Sequence, residues 1–373
     1  MSLLIITPLL LFINILCYPW ISAALALVPD DHQSLIKIFG SSVSQGPSKV
    51  QFLSGADDLD HPKLGSVNST VFDWWYFDAV SFDRKSSFVI AFFTSAYTAF
   101  PFLALSDNVL PVFIWASFPN EKVKVLITHA STAIISGGKS GIVGKYMPIG
   151  MQWAGTADMS MYRVSINDPK LKIKGSFSLK STAPPHYACG HATGGMDMQL
   201  MPKIGWANAV PDGNGEVDMI IEGSKLRFQG SVYHDKNWGA APFHKISKTW
   251  YWGRSRVGPY SIVWFYVIST TDEKSVSAYV SMDGTIVHSS CSGVTVKPIM
   301  AGDSLPTGFR VKFSRTQQGN QHSVAELDVT VGLTVASTRT AYTRWIGEAR
   351  GCVMGTCGLH GNAVFEQIVI GKG

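Results

Sequence analysis

Charge is scarce in this chain. Of its 373 residues 15% are Asp, Glu, Lys or Arg, and the net charge of +5 is spread along the sequence without basic runs. That spread argues against a nucleic-acid partner, which needs clustered cations to displace counterions from phosphates. Helical periodicity is nearly absent, with one short candidate turn near Ser34 to Phe39. A serine nucleophile elbow, a P-loop and a dinucleotide fingerprint are all missing, so no motif points to acyl transfer, nucleotide hydrolysis or hydride transfer. Beyond the N-terminus, no apolar run is long enough to span a bilayer.

Cysteine is sparse as well, at five residues. Cys17 falls in the N-terminal stretch MSLLIITPLLLFINILCYPWISAALALVPDD, an apolar run that ends in small residues. Ala24, Leu25 and Ala26 form an A-x-A-like cleavage site ahead of Asp30 and Asp31, which marks residues 1–26 as a secretory signal. No Lys or Arg precedes the run, and its length also suits an uncleaved membrane anchor. Cleavage leaves Cys189, Cys291, Cys352 and Cys357, an even number with three possible pairings. Cys352 and Cys357, close together around Gly355, can close a small loop, and Cys189 with Cys291 would then tie the two halves of the chain. Asn68, in Asn-Ser-Thr, is an acceptor for N-glycosylation. The three signals agree on a secretory, oxidising compartment.

What the chain has in abundance is period-two alternation. Leu171, Ile173, Phe177 and Leu179 alternate with Lys and Ser; Leu226, Phe228, Gly230 and Val232 alternate with Lys225, Arg227, Gln229 and Ser231; Val276, Ala278, Val280 and Met282 repeat the pattern. These are half-buried strands. Asp212-Gly213, Asn214-Gly215 and Asp283-Gly284 supply hairpin turn chemistry, and Gly258-Pro259-Tyr260 reads as a turn. A chain of this length built from strands predicts two β domains, with the joint near Lys245, where a Gly, Pro and Lys-rich passage interrupts the pattern.

Three dense clusters are candidates for chemistry. In FDWWYFD, Trp74 and Tyr76 point to one side of a strand and Trp75 and Phe77 to the other, with Asp73 and Asp78 at the ends, so both faces meet something large and apolar. In SVYHDKNWG, His234, Asp235, Lys236 and Asn237 place proton donor, acceptor, cation and amide within four positions. The same cluster also suits a strand-ending network that satisfies backbone groups at a domain junction. In TWYWGRSRVGPY, Trp250, Trp252 and Arg254 share a strand face, as a cation–π pair in a core rim or as donor and walls of an aromatic pocket. His186, Cys189 and His191 have metal-binding residue types, but their spacing matches no zinc pattern, and no metal site is expected.

The runs FDWWYFDAVSFDRKSSFVIAFF, YHDKNWG, WGRSRVGPYSIVWF and GNAVFEQIVIG, in that order and spacing, resemble the carotenoid hydratase (hydroxyneurosporene synthase) and AttH-like superfamily. Within it they look most like the fungal lipocalin-like Diels-Alderases, over roughly Leu64 to the C-terminus. The resemblance implies an all-β fold, with an N-terminal β-sandwich over 27–245, a C-terminal lipocalin-like β-barrel over 246–373 and a pocket between them. This sequence departs from the decalin-forming members in its HDKNWG wording, closer to the hydratase branch, and in its signal and glycosylation acceptor. Those departures fit the branch of hetero-Diels-Alderases that join a tropolone quinone methide to a sesquiterpene alkene.

The resemblance therefore implies a cofactor-independent [4+2] cycloaddition on small hydrophobic polyketide or terpenoid substrates. On that expectation Trp75, Tyr76, Trp250 and Trp252 shape the pocket, with Asp78 and Asn237 in its lining. His234, Lys236 or Arg254 donates to a substrate oxygen. An isoprenoid hydratase or dehydratase, with Asp235 as acid and His234 activating water, is one alternative. An intramolecular decalin-forming reaction and a non-catalytic lipophile-binding lipocalin are the others.

Overall fold

The computed structural model describes residues 35–370 apart from 101, 103–105, 303–304 and 339–340. The expected signal over 1–26, its cleavage site and Cys17 lie outside the described residues. The described chain is nearly all β and forms two antiparallel sheets.

The first sheet contains β1 (Leu35–Gly40), β2 (Phe72–Ser81), β3 (Ser87–Ser95), β4 (Pro111–Ser117), β5 (Val123–His129), β6 (Thr132–Gly138), β7 (Gly141–Met147) and β8 (Met151–Gly155). It continues with β9 (Met161–Asp168), β10 (Ile173–Ser181), β11 (His186–Tyr187), β12 (Gly190–His191), β13 (Gln199–Met201), β14 (Ile204–Ile221) and β15 (Ser224–Gly239). Its main path runs β1-β6-β7-β8-β9-β10-β14-β15-β2-β3-β4-β5. A single helical turn, α1 (Phe243–Ile246), leads to the second sheet.

That sheet contains β16 (Ser247–Val257), β17 (Tyr260–Ser269), β18 (Lys274–Met282), β19 (Thr285–Ser290), β20 (Val294–Ile299), β21 (Gly308–Gln317), β22 (Asn320–Thr338), β23 (Tyr342–Val353) and β24 (Thr356–Val369). Its order is β19-β18-β17-β16-β24-β23-β22-β21-β20.

Both sheets curl. Phe77 on β2 meets Trp153 on β8 at 5.9 Å and Tyr162 on β9 at 6.1 Å, although β10, β14 and β15 lie between in the sheet order. The first sheet thus closes over its own core as a sandwich, burying Trp75, Phe77, Trp153 and Phe177 completely. Each such side chain contributes on the order of 1.5–3 kcal/mol by leaving water. In the second sheet, edge strand β20 returns toward β17 and β18, giving a lipocalin-like half-barrel. Its interior is filled by Trp264, Phe309, Trp345 and Phe365 as a packed core. A third apolar layer, including Phe72, Trp74, Phe93, Trp250, Trp252 and Phe265, lies where the outer faces of the two curled sheets meet.

Several local expectations change. Residues from Leu35 form strand β1, not a helical turn, because pairing with β6 supplies the backbone hydrogen bonds. Asp212 to Gly215 do not turn: β14 runs straight through them with register shifts around Val210. Gly213 and Gly215 are there for close approach, since a Cβ would lie 2.4 Å from the Lys180 carbonyl oxygen and 2.2 Å from that of Ser178. The turn falls later, at Glu222 and Gly223, both at positive φ. Asp283 and Gly284, also both at positive φ, do form the two-residue β18–β19 turn, as the primed hairpin geometry requires.

Two disulfides are present, Cys189–Cys291 and Cys352–Cys357. The first joins the two sheets. The second closes the small loop around Gly355 at the β23–β24 turn.

Candidate active site

The aromatic run on β2 divides by its pleat. Asp73, Trp75 and Phe77 enter the sandwich core, while Phe72, Trp74, Tyr76 and Asp78 face the second sheet. Strand β15 is paired with β2 so that Asp235 stands opposite Tyr76 and Asn237 opposite Trp74. Its pleat sends Tyr233, Asp235 and Asn237 to the intersheet side and His234, Lys236 and Trp238 to the sandwich core.

The outer faces enclose a cavity of about 310 Å³. Registers on the first sheet set Asp235, Tyr76, Ala91, Phe113 and Ile127 in one row across β15, β2, β3, β4 and β5. On the second sheet Phe265, Trp252, Glu366, Arg344 and Ala336 form the facing row across β17, β16, β24, β23 and β22. The rows touch where the Arg344 guanidinium lies 4.9 Å from the Tyr76 ring centre, with Trp252 beside it at 5.4 Å.

Few polar groups enter this aromatic space, and each is held. Asp235 Oδ2 accepts hydrogen bonds from Trp206 Nε1 at 2.8 Å and Tyr233 Oη at 2.7 Å. Burial pushes the Asp235 carboxyl up to about 7, against the opposing pull of these two bonds. Across the cavity, burial also raises Glu366, against the attraction of Arg344, whose Nη1 donates to Glu366 Oε2 at 3.2 Å. Tyr342 Oη donates to the same Oε2 at 3.0 Å. Burial works against the charge on Arg344, but Tyr76, Asp78, Tyr342 and Glu366 outweigh it and hold the group above its ordinary value. Asn237 donates from Nδ2 to the Gly205 carbonyl oxygen at 3.2 Å.

Behind the lining, Asp78 gathers three donors. Tyr76 Oη reaches Asp78 Oδ2 at 2.8 Å, Arg344 Nη2 reaches the same oxygen at 2.9 Å, and Arg254 contacts the other oxygen through Nε at 3.1 Å and through Nη2. Arg254 and Asp78 are therefore support for the lining and form no part of it.

Of the residues expected to meet substrate, Tyr76, Asp235, Asn237, Trp250 and Trp252 line the cavity. Trp75, His234 and Lys236 do not. Trp75 donates from Nε1 to the Asp60 carbonyl oxygen inside the sandwich core. The His234 ring stacks on Phe77 at 3.8 Å, and its two nitrogens face the Tyr76 carbonyl at 2.8 Å and Asp60 Oδ2 at 2.9 Å. Lys236 Nζ contacts both Asp73 oxygens, at 2.8 and 2.9 Å, between the rings of Trp75 and Trp238. The physical reason is alternation: neighbours in a strand cannot share a face.

Arg344, Tyr342 and Glu366 were not anticipated. Their signal is weak: a charge beside large apolar residues in a strand, as in AVFEQIV and TRWIG. His186 is stacked on Tyr279 at 4.0 Å and bonded to Asn208, Cys189 is in a disulfide, and His191 is exposed, so those three residues do not converge.

The model of the Diels-Alderase-like family matches residues 37–370. The quinolone epoxide rearrangement protein asqO of Emericella nidulans is 35% identical over 267 residues, 70% of this chain and 73% of that protein. The quinolone epoxide rearrangement protein penF of Penicillium thymicola is 32% identical over 352 residues, 90% of this chain and 95% of that protein. Among solved structures, that of CghA with Sch210972 superposes with a TM-score of 0.76 at 17% identity, covering 91% of this chain and 99% of that one, a likeness of fold.

Proposed function

The chain belongs to the Diels-Alderase-like family, and on that footing we propose that it is a pericyclase that uses Asp235 as a neutral acid. Its substrates are small hydrophobic polyketides or terpenoids, and its reaction is a stereoselective [4+2] cycloaddition. The observation that carries this reading is the Asp235 carboxyl set in the wall of an aromatic cavity, where burial pushes it up to about 7. With Oδ2 occupied by two donors, the proton resides on Oδ1 and is available to a substrate oxygen.

A cycloaddition asks mainly for near-attack geometry, which removes roughly 7–11 kcal/mol of barrier in well-oriented systems. Tyr76, Trp250 and Trp252 supply rigid walls for that purpose. A hydrogen bond from Asp235 to a carbonyl or oxadiene oxygen lowers the acceptor orbital and stabilises charge that develops there. In the finer form of the proposal, a tropolone quinone methide and a sesquiterpene alkene join by one C–C and one C–O bond, with no atom lost. The sequence departures noted above support this branch. The test is incubation of both partners with and without protein, followed by chiral chromatography. A single stereoisomer formed faster with protein supports the proposal, and identical mixtures reject it.

A second reading draws on the two epoxide rearrangement relatives. The same acid, protonating an epoxide oxygen, would promote C–O cleavage and migration within one molecule. Conversion of a quinolone epoxide, with no activity on the two-component mixture, would favour this reading. Solvent oxygen-18 in the product would instead indicate the hydratase alternative.

We also propose a secretory location. Asn68 Oδ1 accepts from Thr70 N and Oγ1, both at 2.9 Å, so asparagine and hydroxyl of the acceptor are already paired. Loss of mass on treatment with an N-glycanase, abolished in Asn68→Gln, is the expected result for protein secreted from a fungal host.

A further inference from the structure

On the first sheet the cavity wall passes from polar to apolar in strand order, while β22 on the facing sheet adds Ser337 and Thr338 beside Ala336. Taking the cavity as the substrate site, as proposed above, its two facing rows meet at Tyr76 and Arg344. One strand further out on each sheet, the row steps down to a methyl group: Ala91 stands in register between Tyr76 and Phe113, and Ala336 stands beside Arg344. Both alanines line the cavity, and β22 packs over β4 on this side. The other positions of the two rows carry larger or charged side chains, so the alanines are the smallest side chains in these rows, and Ser337 and Thr338 follow Ala336 in the lining.

We propose that Ala91 and Ala336 are the specificity-determining residues of this site, holding between them the unfunctionalised hydrocarbon part of the substrate. Asp235 on β15 and Ala91 on β3 are two strand spacings apart, about 10 Å. A substrate whose oxygen is bonded to Asp235 therefore brings a hydrocarbon portion to Ala91 by passing beside the Tyr76–Arg344 contact, along the neighbouring row of Asn237, Trp74 and Phe93. On the first sheet the lining past Ala91 is Phe113 and Ile127, and the row ends on β5, the last strand of the sheet path among the described residues. On the facing sheet, β21 pairs with β22 only as far as Thr330, so Ala336 also lies beyond its outer neighbour. Among the described residues, this end of the cavity thus lies toward β5 and the stretch of β22 that β21 does not pair.

The test uses the protein expressed from the whole chain, with humulene as the bulky alkene and 2-methylbut-2-ene as the small one. Tryptophan fluorescence titration reads humulene binding, and KM for each alkene is measured with the oxygenated partner saturating. Ala91→Leu and Ala336→Leu are expected to weaken humulene binding and raise its KM at least tenfold, leaving the small alkene within about threefold. Ala91→Gly, which removes a methyl group and adds no bulk, is expected to bind humulene at least as well as the unaltered protein. Circular dichroism establishes that each variant is folded, and Ala91→Gly and Ala336→Leu carry the test if Ala91→Leu is not. Failure of the unaltered protein to bind humulene overturns the proposal. So does humulene binding within twofold in a folded Leu variant. Binding that obeys the predicted order without any adduct rejects the cycloaddition reading and leaves this one standing.

Discussion

Arg344 on β23 donates from Nη2 to Asp78 Oδ2 on β2 at 2.9 Å, joining the two sheets immediately behind the cavity. Arg254 shares the same carboxylate. Asp78→Ala leaves two buried guanidinium groups without their common partner. Removal of one member of a buried ion pair is expected to destabilise the protein by about 3–5 kcal/mol. A urea melt reads the loss, and Asp78→Asn is expected to lie nearer the Ala variant than the unaltered protein, since it retains shape but not charge.

Asp235 sets a pH dependence. As an acid titrating near 7, it supports a kcat/KM that is level at lower pH and falls through that value as pH rises. Asp235→Asn is expected to lower kcat by roughly 10²–10⁴-fold and to abolish that limb of the profile. A limb unchanged in Asp235→Asn assigns the titration to another group.

The same shift makes Asp235 unfavourable to stability at neutral pH. The folded chain holds this proton more tightly than the unfolded chain, so stability declines as pH climbs from the ordinary carboxylate value of 3.8 to about 7. The decline is about 1.4 kcal/mol per unit across that window. Asp235→Asn is therefore expected to be more stable than the unaltered protein at pH 8. The difference should shrink toward pH 4, as measured by denaturant melts at each pH.

Lys236 and His234 are predicted to act on stability and not on product selectivity. Lys236→Met strands the buried Asp73 carboxylate and is expected to cost about 3–5 kcal/mol. The double variant Lys236→Met, Asp73→Leu should recover much of that loss. His234→Gln should likewise lower stability, because Asp60 loses the partner that holds its carboxyl below its ordinary value against burial. Product ratios from the folded fraction of each variant should match the unaltered protein.

The Cys189–Cys291 bond spans 102 positions, whereas Cys352–Cys357 spans five. In the chain-entropy account a loop of about 100 residues contributes roughly 4.7 kcal/mol, and a short loop contributes less. Cys189→Ser with Cys291→Ser is expected to lower the denaturation midpoint more than Cys352→Ser with Cys357→Ser. Equal shifts would indicate that the sheets are held together mainly by their apolar interface.

Much of the fold was legible in alternation, as in β10, where Ile173, Phe177 and Leu179 are buried between more exposed neighbours. SVSAYVSM becomes strand β18 with its hairpin turn at Asp283 and Gly284, but both its faces are buried where a half-buried strand is expected. The reason is that β18 packs on the interior of its own sheet and against the first sheet. The stretch at Asp212 to Gly215 was misread, because glycine serves equally for a turn and for a strand crowded by neighbouring carbonyls. The site was legible in half. His234, Asp235 and Lys236 are adjacent in sequence, yet only Asp235 reaches the cavity. Arg344 and Glu366 stand in strands that carry other polar residues as well, so nothing in their own sequence singles them out, and they reach the site through registers between distant segments.

The sequence by itself determined the period of the strands, the all-β class and the division of each strand into two faces. That follows from local backbone geometry, in which successive side chains must point in opposite directions. Tertiary structure alone decided which face meets the sandwich core and which meets the cavity. Both faces of β2, and of β15 from Gly230 onward, are buried and both carry aromatic and charged residues, so composition does not separate them. Only the curling of one sheet and the docking of the other assign Trp75 and His234 to support, and Tyr76 and Asp235 to the site.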